Sequence, residues 1–253
     1  ALPADIIYLL LFPTLFFIAA YLTKKNVYLL IIIITNLILI ILENHRTVWV
    51  CSVIALPIFI FLILKLNIKK IKFTKCINLK YLIIIGFIIF VSTQLKGNYF
   101  LEYMYNRAHD ISTYDTQGTG TYRYNMYIYY MPYIKNNLLF GTHFRGFEIE
   151  PLYQKNYPTS SGHHFHSAYL DILFYHGLFG FYLLYGIIIY YIIKFLKYKY
   201  HSNEHIATFS FIITGFVFSL SYPLPVAYFL VVGIGLAFMK KEKEEINYIY
   251  RDK

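Results

Sequence analysis

The run Val27-Tyr-Leu-Leu-Ile-Ile-Ile-Ile-Thr-Asn-Leu-Ile-Leu-Ile-Ile-Leu42 contains no charged residue and no repeating polar position. A helix or strand on a water-soluble domain needs polar residues on its outward face, at a period of 3.6 or 2. This run has neither period, so its natural solvent is hydrocarbon. Comparable runs cover Ile6–Leu22, Thr47–Leu66, Tyr81–Leu95, Ser167–Ile193, Ile206–Leu220 and Val226–Met239. With 58% hydrophobic and 14% charged residues and a mean hydropathy of +0.51, the chain reads as an all-α polytopic membrane protein with about seven transmembrane helices. The second and the last two runs are short for a hydrocarbon core of about 30 Å.

Charge orders these runs across the bilayer. With Lys24 and Lys25 on the cytoplasmic side, strict alternation also places Lys65, Lys69, Lys70, Lys72, Lys75 and Lys80 there, with Lys194, Lys197, Lys199 and the Lys240-Lys-Glu-Lys tail. The expected organisation is one membrane domain over 1–253: four helices in 1–95, an outer loop over 96–166, three helices in 167–239, and a cytoplasmic tail at 240–253. The net charge of +10 is thus a topology signal. It forms no basic patch of the kind that binds nucleic acid.

Cys51 falls inside an apolar run and Cys76 in a lysine-rich loop, so no disulfide is expected and no CxxC motif exists. The start Ala-Leu-Pro-Ala-Asp has neither an initiator Met nor a signal-peptide pattern, and the reading is of a piece of a longer chain.

Polar chemistry is concentrated in the outer loop, whose length of about 70 residues is uncommon without a role. Within it, 121–140 reads as a tyrosine-rich interfacial helix, interrupted near Pro132 and ended by Gly141. Arg123, Tyr127, Tyr130 and Ile134 share one face of that helix by spacing. A second arginine, Arg46, stands in the tight outer turn Glu43-Asn-His-Arg46, against the positive-inside tendency.

The segment Gly162-His-His-Phe-His-Ser-Ala then opens the fifth apolar run. His163, His164 and His166 admit three readings: metal ligands, a general base with a pKa near the usual imidazole value, or polar residues at a helix entrance. Zinc would ask for a spacing such as HExxH, which is absent. From His166 to Gly177 is about 1100° of helical rotation, which returns to the same face. On that count His166 faces protein, and Gly177 and Gly180 form a small-residue patch for a neighbouring helix.

His166-Ser167, nine residues and Gly177-Leu-Phe-Gly180 resemble the H-[N/S/Q]-x9-G-x-x-G signature of the O-antigen ligase and polymerase family. Arg123, Pro132 and Asn137-Leu-Leu-Phe-Gly-Thr-His are similar to that family's arginine helix and the glycine-rich loop after it. Arg46 is similar to an arginine that opens a transmembrane helix in these proteins. The resemblance implies an all-helical C-type glycosyltransferase fold in the bacterial inner membrane, its active site facing the periplasm. The implied donor is a glycan on undecaprenyl pyrophosphate, and the implied acceptor is lipid A–core or another glycan, beside membrane lipid. The implied reaction inverts the anomeric centre and uses no metal or other cofactor.

The residues suit that chemistry. An acceptor hydroxyl must lose a proton as pyrophosphate leaves, which asks for one base and for charge neutralisation. His166 is the expected base. Arg123 and Arg46 are expected to fork onto phosphate oxygens, as guanidinium does bidentately. Arg145, Tyr122 and His164 are candidate substrate contacts, with Ser167, Gly177 and Gly180 completing the motif. No DxD occurs, and Glu148 and Glu150 are the only close acidic pair in the outer loop. A polymerase of the same family is the alternative function. A lipid-linked sugar transporter is the rival from another class, but it would place charged or broken-helix sites near the midplane and show repeat-related halves.

Overall fold

A computed structural model describes residues 2–43, 45–67, 119–143, 165, 167–198 and 201–251, without the side chains of 119–126 and 245–251. Seven helices account for these residues: α1 (Ala4–Lys24), α2 (Val27–Leu42), α3 (Arg46–Asn67), α4 (Thr119–Asn136), α5 (Ala168–Lys197), α6 (Asn203–Phe218) and α7 (Val226–Arg251). Among the described residues there is no strand. Local signals set several of the ends. Lys25 turns left-handed (φ 53°) to stop α1, and the Asn26 side chain accepts from the Tyr28 N–H to start α2. The Ser202 hydroxyl accepts from the His205 N–H at the head of α6.

Among the described residues three helices are long and apolar enough to cross a membrane: α1, the stretch Arg46–Leu66 of α3, and α5. The chain is an all-α membrane protein. The expected count of seven spans does not carry over to the described residues. α2 is apolar but shorter, α7 becomes lysine- and glutamate-rich from Lys240 onward, and the Tyr81–Leu95 run lies outside the described residues. α6 has 16 residues, or about 24 Å at the helical rise, against a core of about 30 Å.

The position of α6 explains how so short a helix is accommodated. It buries every residue from His205 to Ile212, whereas α2 buries only Ile33 and Ile40. α6 is the axis of the bundle, with α1, α3, α5 and α7 around it, and α2 packed outside against α1. Tyr8 of α1 stacks on Phe218 (4.0 Å) and hydrogen-bonds the Thr214 hydroxyl. Cys51 of α3 reaches the Thr214 carbonyl, Phe195 of α5 stacks on Phe209 (3.7 Å), and the Tyr228 hydroxyl of α7 donates to the Ile212 carbonyl. Water-driven burial does not hold helices together in lipid, so such packed rings and buried hydroxyls do. The polar residues of α6 satisfy themselves along the helix: Thr208 on Glu204, Ser210 on Ile206 and Thr214 on Phe211.

These pairings fix directions. Tyr8 and Phe12 face Phe218 and Phe211, and Tyr185 and Phe195 face Phe216 and Phe209. Tyr228 meets Ile212 while Glu242 meets His205. α1, residues 178–197 of α5, and α7 therefore run antiparallel to α6. One end of the bundle collects Lys24, Lys194, Lys197, Lys240 and Lys241. The other holds the starts of α1, α5 and α7 and the end of α6.

Candidate active site at a broken helix

α5 is interrupted at Gly177, whose φ of 63° and ψ of −160° are not helical. In a continuous helix the Leu178 and Phe179 N–H groups bond the carbonyls of Phe174 and Tyr175. Here a turn over 138–143 enters the gap and takes all four groups. Thr142 N–H donates to Phe174 O (2.7 Å) and His143 N–H to Tyr175 O (3.2 Å), while Leu178 N–H donates to Leu138 O (2.8 Å) and Phe179 N–H to Leu139 O (3.0 Å). Two helical bonds are exchanged for four, so the break leaves none of these backbone groups without a partner.

The contact needs glycine on both sides. Gly141 has φ 69°, and a Cβ there would sit 2.5 Å from the His176 nitrogen and the Tyr175 carbonyl carbon. A Cβ on Gly177 would sit 2.5 Å from the Leu139 carbonyl. A Cβ on Gly180 would strike the His176 Cβ. The spacing of Gly177 and Gly180 thus records a helix break and the close passage of His176 over the next turn. This corrects the sequence expectation twice. The rotation count from His166 to Gly177 assumed one continuous helix, yet α5 begins at Ala168 and breaks at Gly177. The element approaching Gly177 is a turn, not another helix, and Gly180 faces only His176 and Ile172 of its own helix.

α4 carries the turn into place. Tyr130 and Ile134 pack with Phe165, Leu170 and Phe174 in a small core of their own. The Tyr130 ring lies 4.6 Å from Phe165 and 5.5 Å from Phe174, both edge-on. Pro132 does not interrupt α4, which runs through it to Asn136, and Gly141 lies beyond its end in the turn. Membrane-associated helices tolerate such prolines where neighbours satisfy the freed carbonyl. Arg123 and Tyr122 belong to α4, their side chains lying outside the described residues.

The head of α5 is tied down at several points. The Asp171 carboxylate accepts from the Phe165 N–H (3.1 Å), and the Ala168 N–H donates to Ser219 O at the end of α6 (2.9 Å). Phe165 and Ser167 are both buried, so the residues on either side of position 166 are fixed. Among the described residues the buried hydroxyls of Ser167 and Thr142 find no partner. His166, with His163, His164 and Arg145, lies outside the described residues.

Arg46 opens α3 and is half-buried. The turn before it is anchored: Glu43 accepts from the Leu2 N–H (2.7 Å), a ring nitrogen of His45 pairs with Leu2 O (2.8 Å), and the Trp49 indole donates to Ile40 O (3.0 Å). Cys51 meets Thr214, and counting back along α3 and forward along α6 sets Arg46 near the level of Ser219, where α5 begins. Arg46, the turn of 138–143 and the head of α5 therefore occupy the same end of the bundle, away from the lysines.

The family model for O-antigen ligase matches residues 29–185. The chain belongs to the O-antigen ligase family. Its members are membrane enzymes of the glycosyltransferase type, and the match takes in Arg46, α4, the turn and the broken part of α5. No curated protein and no solved structure matches the chain.

A second polar cluster, at the lysine end, escaped the sequence reading. His205 Nδ1 lies 2.8 Å from Glu242 Oε2, His201 Nδ1 lies 3.4 Å from the same oxygen, and the two Nδ1 atoms are 3.2 Å apart. Glu242 Oε1 accepts from the Ser202 N–H (2.7 Å). Burial pushes the Glu242 carboxyl up, but hydrogen bonds from both imidazoles and from Ser202 outweigh it and hold the carboxyl at about 2. Burial is the main cause that lowers His205, against the opposing pull of Glu242. The available signal was the i, i+4 spacing of His201 and His205. Glu242 comes from another helix, which no local pattern announces.

Proposed function

We propose that the protein transfers a glycan from an undecaprenyl-pyrophosphate carrier to an acceptor hydroxyl at the periplasmic face of the bacterial inner membrane, as an O-antigen ligase whose acceptor is lipid A–core. The observation that carries this reading is the family match, whose span contains every residue of the proposed site. His166 takes the proton of the acceptor hydroxyl. The hydroxyl oxygen bonds to the anomeric carbon from the face opposite the pyrophosphate, the carbon–oxygen bond to the carrier breaks, and the configuration inverts. Undecaprenyl pyrophosphate leaves with the bond electrons.

Arg123 and Arg46 balance the charge that develops on the leaving pyrophosphate, in the role a divalent metal fills elsewhere. Arg145, Tyr122 and His164 contact donor or acceptor. The break in α5 supports the assignment because it locks α4, the carrier of Arg123, to the helix that follows His166. The metal-independent route predicts full transfer with no added Mg²⁺ or Mn²⁺, whereas a requirement for either would shift the chemistry to Glu148 and Glu150.

The test is transfer by purified protein from a pyrophosphate-linked glycan to defined acceptors. His166→Ala and Arg123→Ala are expected to insert normally and to lose transfer by at least about 10²-fold, the lower range for one acid–base group or one charge-stabilising donor. Wild-type activity in either variant overturns its role. The acceptor decides between ligase and polymerase: loss of all attached O-antigen in a deletion strain marks the ligase, and a single repeat unit left on core marks the polymerase.

A further inference from the structure

The geometry points to a second site, at the lysine end of the bundle, in which His201, His205 and Glu242 bind one divalent transition-metal ion of the zinc class. All three residues are buried, with relative exposures of 7%, 0% and 9%. Their Nδ1, Nδ1 and Oε2 atoms form a triangle with sides of 3.2, 2.8 and 3.4 Å. A tetrahedral ion with bonds of about 2.0–2.1 Å keeps its ligand atoms about 3.3 Å apart, so a point about 2 Å from all three lies just out of their plane.

The surroundings of His201 and Glu242 are arranged for ligation, while the buried His205 Nε2 has no hydrogen-bond partner among the described residues. The His201 Nε2 pairs with the Tyr198 carbonyl at 3.1 Å, and since a carbonyl only accepts, Nε2 carries the hydrogen. With that hydrogen on Nε2, Nδ1 is the nitrogen that would ligate an ion at the centre. A backbone carbonyl on the far nitrogen is the usual support of a metal-bound imidazole. The His201 ring is also held flat against Phe195, with centroids 3.9 Å apart. Glu242 is oriented by the Ser202 N–H on its other oxygen. Two imidazoles and one carboxylate suit zinc-class ions and do not suit magnesium or calcium, which want oxygen alone.

The ion would staple the head of α6 to α7, with a fourth position left for water. It lies at the far end of α5 from the proposed transfer site, so its function is structural and its fate is independent of the transfer assignment. The test uses the full chain, purified in detergent through a tag without histidine, loaded with Zn²⁺, desalted and measured by elemental analysis. One equivalent per chain is expected, with Co²⁺ in its place giving the visible bands of a four-coordinate site. Glu242→Gln keeps the acceptor for Ser202, and both it and His201→Gln are expected to weaken binding by about 100-fold or more. A variant lacking His163, His164 and His166 keeps its ion. Wild-type protein with no stoichiometric ion overturns the proposal, as does undiminished binding in both the Glu242→Gln and His201→Gln variants; the cluster would then be held by a shared proton.

Discussion

Gly141 and Gly177 face each other through backbone alone, and each has a positive φ. Replacing either by alanine costs about 1–3 kcal/mol for the positive-φ backbone, and the 2.5 Å approach of the opposing main chain must be relieved in addition. Gly141→Ala and Gly177→Ala are therefore expected to lower the thermal midpoint in detergent and to abolish transfer. Gly186 and Gly233 provide the control, because a Cβ meets nothing closer than 3.7 Å at the first and nothing within 4 Å at the second. Alanine at these helical positions is expected to be neutral or to stabilise by up to about 1 kcal/mol. Thermal unfolding of the four variants side by side checks this; equal loss in all four would remove the special standing of the turn. The sequence showed these glycines as a motif but not their cause, since φ is set by a turn more than 30 residues away.

At the level of elements, boundaries were legible and partners were not. The ends of α1, α2 and α3 fall within a few residues of the apolar runs, because Lys, Asn and the Glu43 turn mark them. Hydropathy did not show that α6 is the axis and α2 is peripheral, since a side chain facing lipid and one facing another helix are equally apolar. Nor did the sequence show that Pro132 would be carried inside α4. Phe165, just before α5, depends on a short-range device that the sequence does contain: Asp171, whose carboxylate accepts from the Phe165 N–H. Asp171→Ala releases that tether and, through misplacement of the base proposed at His166, is expected to lower kcat by about 10²-fold. Asp171→Asn, which keeps an acceptor, is expected to restore most of it. Steady-state transfer by the two variants, with monodispersity by gel filtration as the folding check, separates positioning from collapse.

The whole bundle is polar in charge as well as in topology: lysines collect at one end, and Arg46 stands with the broken helix at the other. If the lysine end is cytoplasmic, as the positive-inside tendency requires, cysteines placed at Lys24 or Lys197 in a Cys51→Ala, Cys76→Ala background resist a membrane-impermeant maleimide in intact cells. A cysteine at Leu139, which is exposed in the turn, is labelled. The reverse pattern would place the proposed chemistry in the cytosol and end the periplasmic assignment. Glu242 was invisible to this charge reading because it lies among lysines in sequence and between histidines in space.

The short axis has one more consequence. Lipid thickness acts on α1, α3 and α5, which are long enough to span, and has little hold on α6, which is screened by them. Moving the protein from short to long acyl chains therefore re-tilts the staves of the barrel around a spindle whose length stays fixed. The head of α5, pinned to the end of α6 through Ala168 and Ser219, is where that tilt is converted into a change of spacing.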